Sequence, residues 1–182
     1  MLKRKIEREI GHWLDNSKKA LIIYGARQVG KTYIIRSVLE ERGADYAEFN
    51  LIRDKGVLEI LRGFTSVDDL ILKLSLFSEK PLIPHKSFLF FDEIQEFPEI
   101  VTAIKFLVED GRFRYILSGS LLGVEIKNIR SAPVGYLQSL TMYPLDFEEF
   151  LQLFHVDEKI MVSLKTSYMN RQPVDQVIHD RF

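Results

Sequence analysis

Leu21-Ile22-Ile23-Tyr24 runs directly into Gly25-Ala26-Arg27-Gln28-Val29-Gly30-Lys31-Thr32, and no other stretch restricts the fold of this chain so tightly. An apolar, strand-like run enters a G-x-x-x-x-G-K-T loop, and Tyr33-Ile34-Ile35-Arg36-Ser37-Val38-Leu39 reads as the helix that follows. That strand-loop-helix setting is the one in which the pattern has a physical meaning. Gly25 and Gly30 allow backbone angles and close approaches that a Cβ forbids, so successive N–H groups can converge on phosphate oxygens at the positive end of the helix. Lys31 adds a mobile point charge for β- and γ-phosphates, and Thr32 a hydroxyl ligand for Mg²⁺. The candidate phosphate-binding set therefore runs from Gly25 through Ala26, Arg27, Gln28, Val29, Gly30, Lys31 and Thr32 to Tyr33. Arg27 and Gln28 crown the loop, where a side chain touches nucleotide, touches a partner or points to solvent.

Residues 87 to 93, Ser-Phe-Leu-Phe-Phe-Asp-Glu, form the second informative stretch. A continuous apolar run of this length suits a central parallel strand buried on both faces. Ligands of open α/β sheets bind at the carboxyl ends of the strands. Asp92 falls where it can hold Mg²⁺, directly or through water, and Glu93 where it can polarise an attacking water. The rival reading is that the pair caps the next turn. Its position 61 residues after Lys31, with one strand between, favours the functional reading. Phe113 to Leu117 form a further strand, followed by Ser118-Gly119-Ser120. A hydroxyl there can hydrogen-bond the γ-phosphate or the lytic water, with Ser118 and Ser120 both open, or the small residues simply suit a turn.

The remaining elements follow from periodicity and punctuation. Ile6, Ile10, Trp13 and Leu14 give residues 3 to 14 one apolar helical face. Strands are expected over residues 20–24, 45–50 and 135–142. Gly43 ends the helix after the loop, and Thr65 or Ser66 caps a later one. Pro98 opens a helix buried through Ile100, Val101, Ile104 and Leu107. Residues 121–134, with Lys127, Arg130 and Pro133, read as loop. Asp146-Phe147-Glu148-Glu149 has the pattern of a capping box, before an apolar face of Phe147, Phe150, Leu151 and Phe154. Ile160, Met161, Leu164 and Tyr168 line one tail helix, and Pro173 begins another with Val174, Val177 and Ile178.

Composition removes several function classes. The 182 residues, 46% of them hydrophobic, can bury a substantial core. Basic and acidic residues nearly cancel, 25 against 26, so nothing global draws the chain to nucleic acid or an anionic membrane. The absence of cysteine excludes disulfides, thiolate zinc sites and thiol nucleophiles. His12, His85, His155 and His179 are scattered without metal-ligand spacing. No apolar run approaches a membrane span, and charges interrupt the first ten residues where a signal peptide needs an apolar core. The expected location is the cytoplasm, where ATP is at hand.

With both phosphate-site motifs in place, the chain resembles the AAA+-type P-loop ATPases of bacteria and archaea, in particular those carrying a Gly-Ala-Arg-Gln-Val-Gly-Lys-Thr loop. The matching pieces are Gly25 to Thr32, Phe88 to Glu93 with Gln95, Leu117-Ser118-Gly119-Ser120, and Tyr143-Pro144-Leu145-Asp146-Phe147-Glu148-Glu149-Phe150-Leu151. The resemblance implies a Walker A loop, a Walker B strand with catalytic Glu93, and a sensor-like serine. It also implies a three-layer αβα fold on a five-stranded parallel sheet of order 5-1-4-3-2. Residues 1–154 are then the ATPase domain. Residues 155–182 are a helical tail beginning a lid or following domain, in a chain expected to be part of a longer protein. No arginine finger can be assigned by motif; Arg112, Arg114 and Arg130 are candidates by position alone.

The leading expectation is an ATP-binding, Mg²⁺-dependent ATPase coupled to a partner protein or to self-association. Catalysis falls to Glu93, Lys31, Ser118 and Ser120, and the metal to Thr32 and Asp92. The alternative is a nucleotide-gated interaction switch with negligible turnover of its own. A small-molecule kinase ranks third, because adjacent Asp92 and Glu93 suit water activation and no acceptor pocket is visible.

Overall fold

The computed structural model of the chain describes residues 3–97, 99–120, 135–152, 156–174 and 176. They form two compact units, residues 5–144 and residues 1–4 with 145–182. Pro98, the segment 121–134 with Arg130, Phe154, Val177 and Ile178 lie outside the described residues.

The larger unit opens with helix α1 (Lys5–Asn16), which buries Ile6, Ile10 and Trp13 on one side. Strand β1 (Ala20–Tyr24) leads through the glycine loop into α2 (Lys31–Glu41). Gly43 adopts a left-handed φ of 59° just beyond α2, and the Ala44 N–H reaches back to the Leu39 carbonyl at 2.9 Å, closing off the last turn. Strand β2 (Tyr46–Asn50) and helices α3 (Lys55–Gly63) and α4 (Val67–Phe77) follow. Ser66 is the cap of α4, its side chain accepting from the Asp69 N–H. Strand β3 (Phe88–Asp92) ends in a short 3₁₀ turn (Ile94–Glu96), and α5 (Ile100–Asp110), β4 (Arg114–Gly119) and β5 (Leu137–Thr141) complete the unit.

All pairings are parallel, in the order β2-β3-β4-β1-β5, which is the expected order read from the other edge. Alternation along each strand sends side chains to both faces. Leu21, Ile23, Phe88, Phe90 and Ile116 meet Trp13 of α1 and Ile35 and Leu39 of α2. Ile22, Ala47, Phe49, Leu89, Phe91 and Leu117 meet α3, α4 and α5 on the other side. Burial on both faces is why β1 and β3 are near-continuous apolar runs. Strand β4 runs two residues past the apolar stretch, because Ile23 and Tyr24 pair with Ser118 and Gly119. Ser118 thus sits on a strand, not in a turn.

In the smaller unit, α6 (Phe147–Gln152) begins with the reciprocal cap its sequence spells. The Glu149 N–H donates to Asp146 Oδ1 at 2.8 Å and the Asp146 N–H to Glu149 Oε2 at 3.1 Å. Arg4 Nε lies 3.0 Å from the same carboxylate, so buried Glu149 carries both a cap and an ion pair. Leu151 is buried, whereas Phe147 and Phe150 are exposed. Helix α7 (Glu158–Met169) starts at an Asp157 cap and carries Ile160, Met161 and Leu164 half-buried, while Tyr168 is exposed.

Candidate functional site

Four segments converge at the carboxyl ends of β1, β2, β3 and β4. The loop after β1 turns sharply at Gln28, with φ 63°, and at Gly30, with φ 95°. Gln28 holds a left-handed conformation that costs a non-glycine residue on the order of 1 kcal/mol, the kind of local strain found at ligand sites. Gly30 is the N-cap of α2 and supplies no side-chain cap, leaving the first N–H groups of the helix for an acceptor from elsewhere. Gly25 is required for a different reason. A Cβ there would lie 2.1 Å from the carbonyl oxygen of Met142, just beyond β5.

Lys31 is 7% exposed, and its Nζ donates to the carbonyls of Gly25 at 3.1 Å and Ala26 at 2.8 Å. Burial pulls its pKa below the usual 10.5; the charges of Glu93 and Asp92 oppose that fall and Arg27 adds to it. A third anion would restore the ammonium's stability, which is what a phosphate supplies.

Asp92, at the end of β3, is buried and accepts three hydrogen bonds. Thr32 Oγ1 donates to Oδ2 at 3.0 Å, Asn50 Nδ2 donates to Oδ2 at 3.1 Å, and Ser118 Oγ donates to Oδ1. The loop hydroxyl and the acidic residue of the distant strand therefore meet. One carboxylate and one hydroxyl are hard oxygen donors of the kind Mg²⁺ takes beside nucleotide phosphates. Among the described residues there is no group of three or more acidic or histidine side chains forming a cage of protein ligands. A site of one or two protein oxygens completed by phosphates and water fits Mg²⁺.

Glu93 leaves the strand in the left-handed region, φ 60° and ψ 45°, and is half-buried beside Asp92. Its Oε2 accepts from Gln95 Nε2, and Gln95 Oε1 accepts from the Ser120 N–H at 3.0 Å. Ser118 joins the cluster by its hydroxyl and Ser120 by its backbone. Of the loop crown, Ala26, Arg27 and Gln28 are exposed, while Gly25, Val29 and Gly30 are half-buried. Tyr33, on the first turn of α2, is 56% exposed.

Sequence reasoning missed Asn50. Its signal was the strand order: β2 lies beside β3, and Asn50 is in register with Asp92. The arginines named by position are engaged elsewhere. Arg112 pairs with Asp110 and Asp68, while the Arg114 guanidinium lies over the adjoining rings of Trp13 and Phe88 and donates to the carbonyls of Trp13, Leu14 and Ser17.

A parallel sheet of this order, with a glycine loop after β1 and an acidic strand end facing it, defines a P-loop ATPase fold built to bind nucleotide. The chain belongs to the AAA domain family, whose model matches residues 17–151. It is similar to Uncharacterized protein MJ1544 of Methanocaldococcus jannaschii, 28% identical over 143 residues that cover 78% of this chain and 30% of that protein. The chain thus spans less than a third of that relative's length. The structure of the Walker-type ATPase PABY2304 of Pyrococcus abyssi matches 100% of this chain and 62% of its own, with a TM-score of 0.53 and 16% identity. That likeness is one of fold.

Proposed function

We propose that the chain binds ATP with Mg²⁺ and hydrolyses it to ADP and phosphate. The observation that carries the reading is the 3.0 Å contact of the Thr32 hydroxyl with Asp92, two residues 60 positions apart that meet at the mouth of the loop. Mg²⁺, when bound, supplies charge neutralisation on the β- and γ-phosphates, and Thr32 and Asp92 are the residues that would hold it. The loop N–H groups and Lys31 bind the triphosphate. Glu93 orients a water and takes its proton as the water oxygen attacks the γ-phosphorus, and the bridging oxygen leaves with ADP. Ser118 fixes Asp92, and Ser118 or Ser120 reads the γ-phosphate.

Glu93→Gln is the test. Nucleotide affinity should stay within a few-fold while phosphate release slows by roughly 10²–10⁴, the scale of losing a positioned base. Wild-type turnover in that variant ends the assignment.

A second reading, a nucleotide-gated switch completed by a protein partner or a second copy of the chain, draws support from the arginines. Arg112 and Arg114 are both engaged within the chain. ATP binding without phosphate release until a partner is added would favour it. The near-balanced charge gives no support to a nucleic-acid partner. No helix among the described residues is long and apolar enough to cross a membrane, and we place the activity in the cytoplasm.

A further inference from the structure

We propose that Gln95 is a positioning residue, tying the Glu93 carboxylate to the end of β4 so that the proton acceptor and the strand end beside the triphosphate move as one. The inference rests on Glu93 being the proton acceptor and adds what aims it. Three observations carry it.

First, Glu93 cannot take its pose from the strand. The left-handed turn at φ 60° ends β3 after Asp92 and redirects the next side chain. That turn is held by the 3₁₀ segment, anchored through fully buried Ile94 and by the Glu96 N–H on the Glu93 carbonyl at 3.2 Å. The segment fixes the Glu93 backbone and leaves the carboxylate needing a donor.

Second, that donor is a side chain with two ends. The Ser120 N–H can only donate, so the oxygen of the Gln95 amide must face it. The NH₂ must then face Glu93, a carboxylate that can only accept. The network admits one orientation of the amide, and no other common side chain of that length both accepts and donates along one line.

Third, the far end of the tie is already part of the site. Ser118, on β4 two residues before Ser120 just beyond its end, holds Asp92 by its hydroxyl. The end of β4 therefore grips the metal-side carboxylate through Ser118 and the water-side carboxylate through Ser120 and Gln95. A displacement of this strand end by the γ-phosphate reaches both acids together.

Gln95→Glu separates positioning from mere cohesion. A carboxylate still accepts from the Ser120 N–H, preserving the tie to β4, but faces Glu93 with a like charge in place of a donor. Gln95→Glu and Gln95→Ala should each lower kcat for Mg·ATP by about 10- to 100-fold, the scale of misplacing a catalytic group by a fraction of its reach. KM should stay within about threefold and the melting temperature of Gln95→Glu unchanged. In a Glu93→Gln background, Gln95→Ala should add little further loss, because a residue that acts through Glu93 has nothing left to aim. Wild-type kcat in both Gln95 variants, or an equal loss in both backgrounds, overturns the proposal. Wild-type turnover in Glu93→Gln alone overturns the hydrolytic reading and this one with it. A slow Glu93→Gln beside fast Gln95 variants removes only the tie. Where the wild type itself releases no phosphate, the side-chain amide resonances of Gln95 decide. They should shift between wild type and Glu93→Ala, and their failure to move rules out the contact.

Discussion

Replacing Gly25 by alanine tests the close packing of β5 against the loop. The new Cβ would lie 2.1 Å from the Met142 oxygen and 3.1 Å from its carbonyl carbon, about 0.9 Å inside the 3.0 Å that real Cβ contacts respect. The obstructing atom is backbone, so no rotamer change relieves the overlap. Met142 is moreover pinned by its own N–H to the Tyr24 carbonyl at 2.8 Å, at the end of the β1–β5 ladder. Relief requires the ends of β1 and β5 to part. That forfeits this hydrogen bond, about 1 kcal/mol, and adds overpacking strain of about 1–3 kcal/mol. We expect a loss of about 2–4 kcal/mol, a fall in Tm of roughly 5–15 °C for a chain of this size. Nucleotide affinity should fall as well, because the Gly25 and Ala26 carbonyls that receive Lys31 move with the strand end. Thermal denaturation and a fluorescent-nucleotide titration read both effects. Gly63→Ala is the matched control: at the end of α3, with open space around its Cβ and no positive φ, it should be neutral or stabilising by up to about 1 kcal/mol. Wild-type Tm and affinity in Gly25→Ala would refute the packing account.

Asp92→Asn keeps an oxygen for Thr32 and Asn50 and an amide that the Ser118 hydroxyl can accept from. Denaturant stability should drop by no more than about 1–2 kcal/mol, while Mg²⁺ ceases to strengthen ATP binding; retained Mg²⁺ dependence would count against Asp92 as the metal-side carboxylate. Lys31 titrates below its usual 10.5, chiefly through burial. It is charged below its own pKa and neutral above it, so ATP affinity should begin to decline at a pH short of the usual 10.5 and stay flat in Lys31→Arg, whose charge persists. An equal decline in both, followed by titration calorimetry, would locate the effect elsewhere. Arg114→Ala removes the side-chain donor to the Leu14 and Ser17 carbonyls and one of two donors to the Trp13 carbonyl, which keeps the Ser17 N–H, and strips the cation from over the Trp13 and Phe88 rings. We expect about 2–4 kcal/mol of destabilisation in urea unfolding at unchanged nucleotide affinity per folded molecule, and an unchanged unfolding midpoint would contradict it.

The parts legible in the sequence are those dictated by one local requirement. The loop needs glycine at Gly25 and Gly30, β1 and β3 need two apolar faces, and the cap at Asp146 needs Glu149 three residues on. The strand order was available from the family resemblance, since no periodicity encodes which strands lie side by side. What sequence could not give depends on registration between distant segments. Asn50 reads as an ordinary strand end until Asp92 is set opposite it. Glu93 reads as the last residue of a strand, and its left-handed turn becomes visible only with the 3₁₀ segment in place. Gln95 belonged to a matching motif without a stated task, because its second partner is a backbone N–H 25 residues away. Arg114 is one of three finger candidates by position alone, whereas its surroundings are the rings of Trp13 and Phe88 and the carbonyls at the end of α1.

That arginine bears on the birth of the protein. Helix α1 carries no basic residue in its final turn, and the cation that satisfies its last carbonyls comes from 101 positions downstream of Trp13. At synthesis rates of about 5–20 residues per second, the nascent helix waits roughly 5–20 seconds for it. Helix α1 therefore emerges well before the residue that secures its end, and it would meet chaperones with the indole of Trp13 still uncovered.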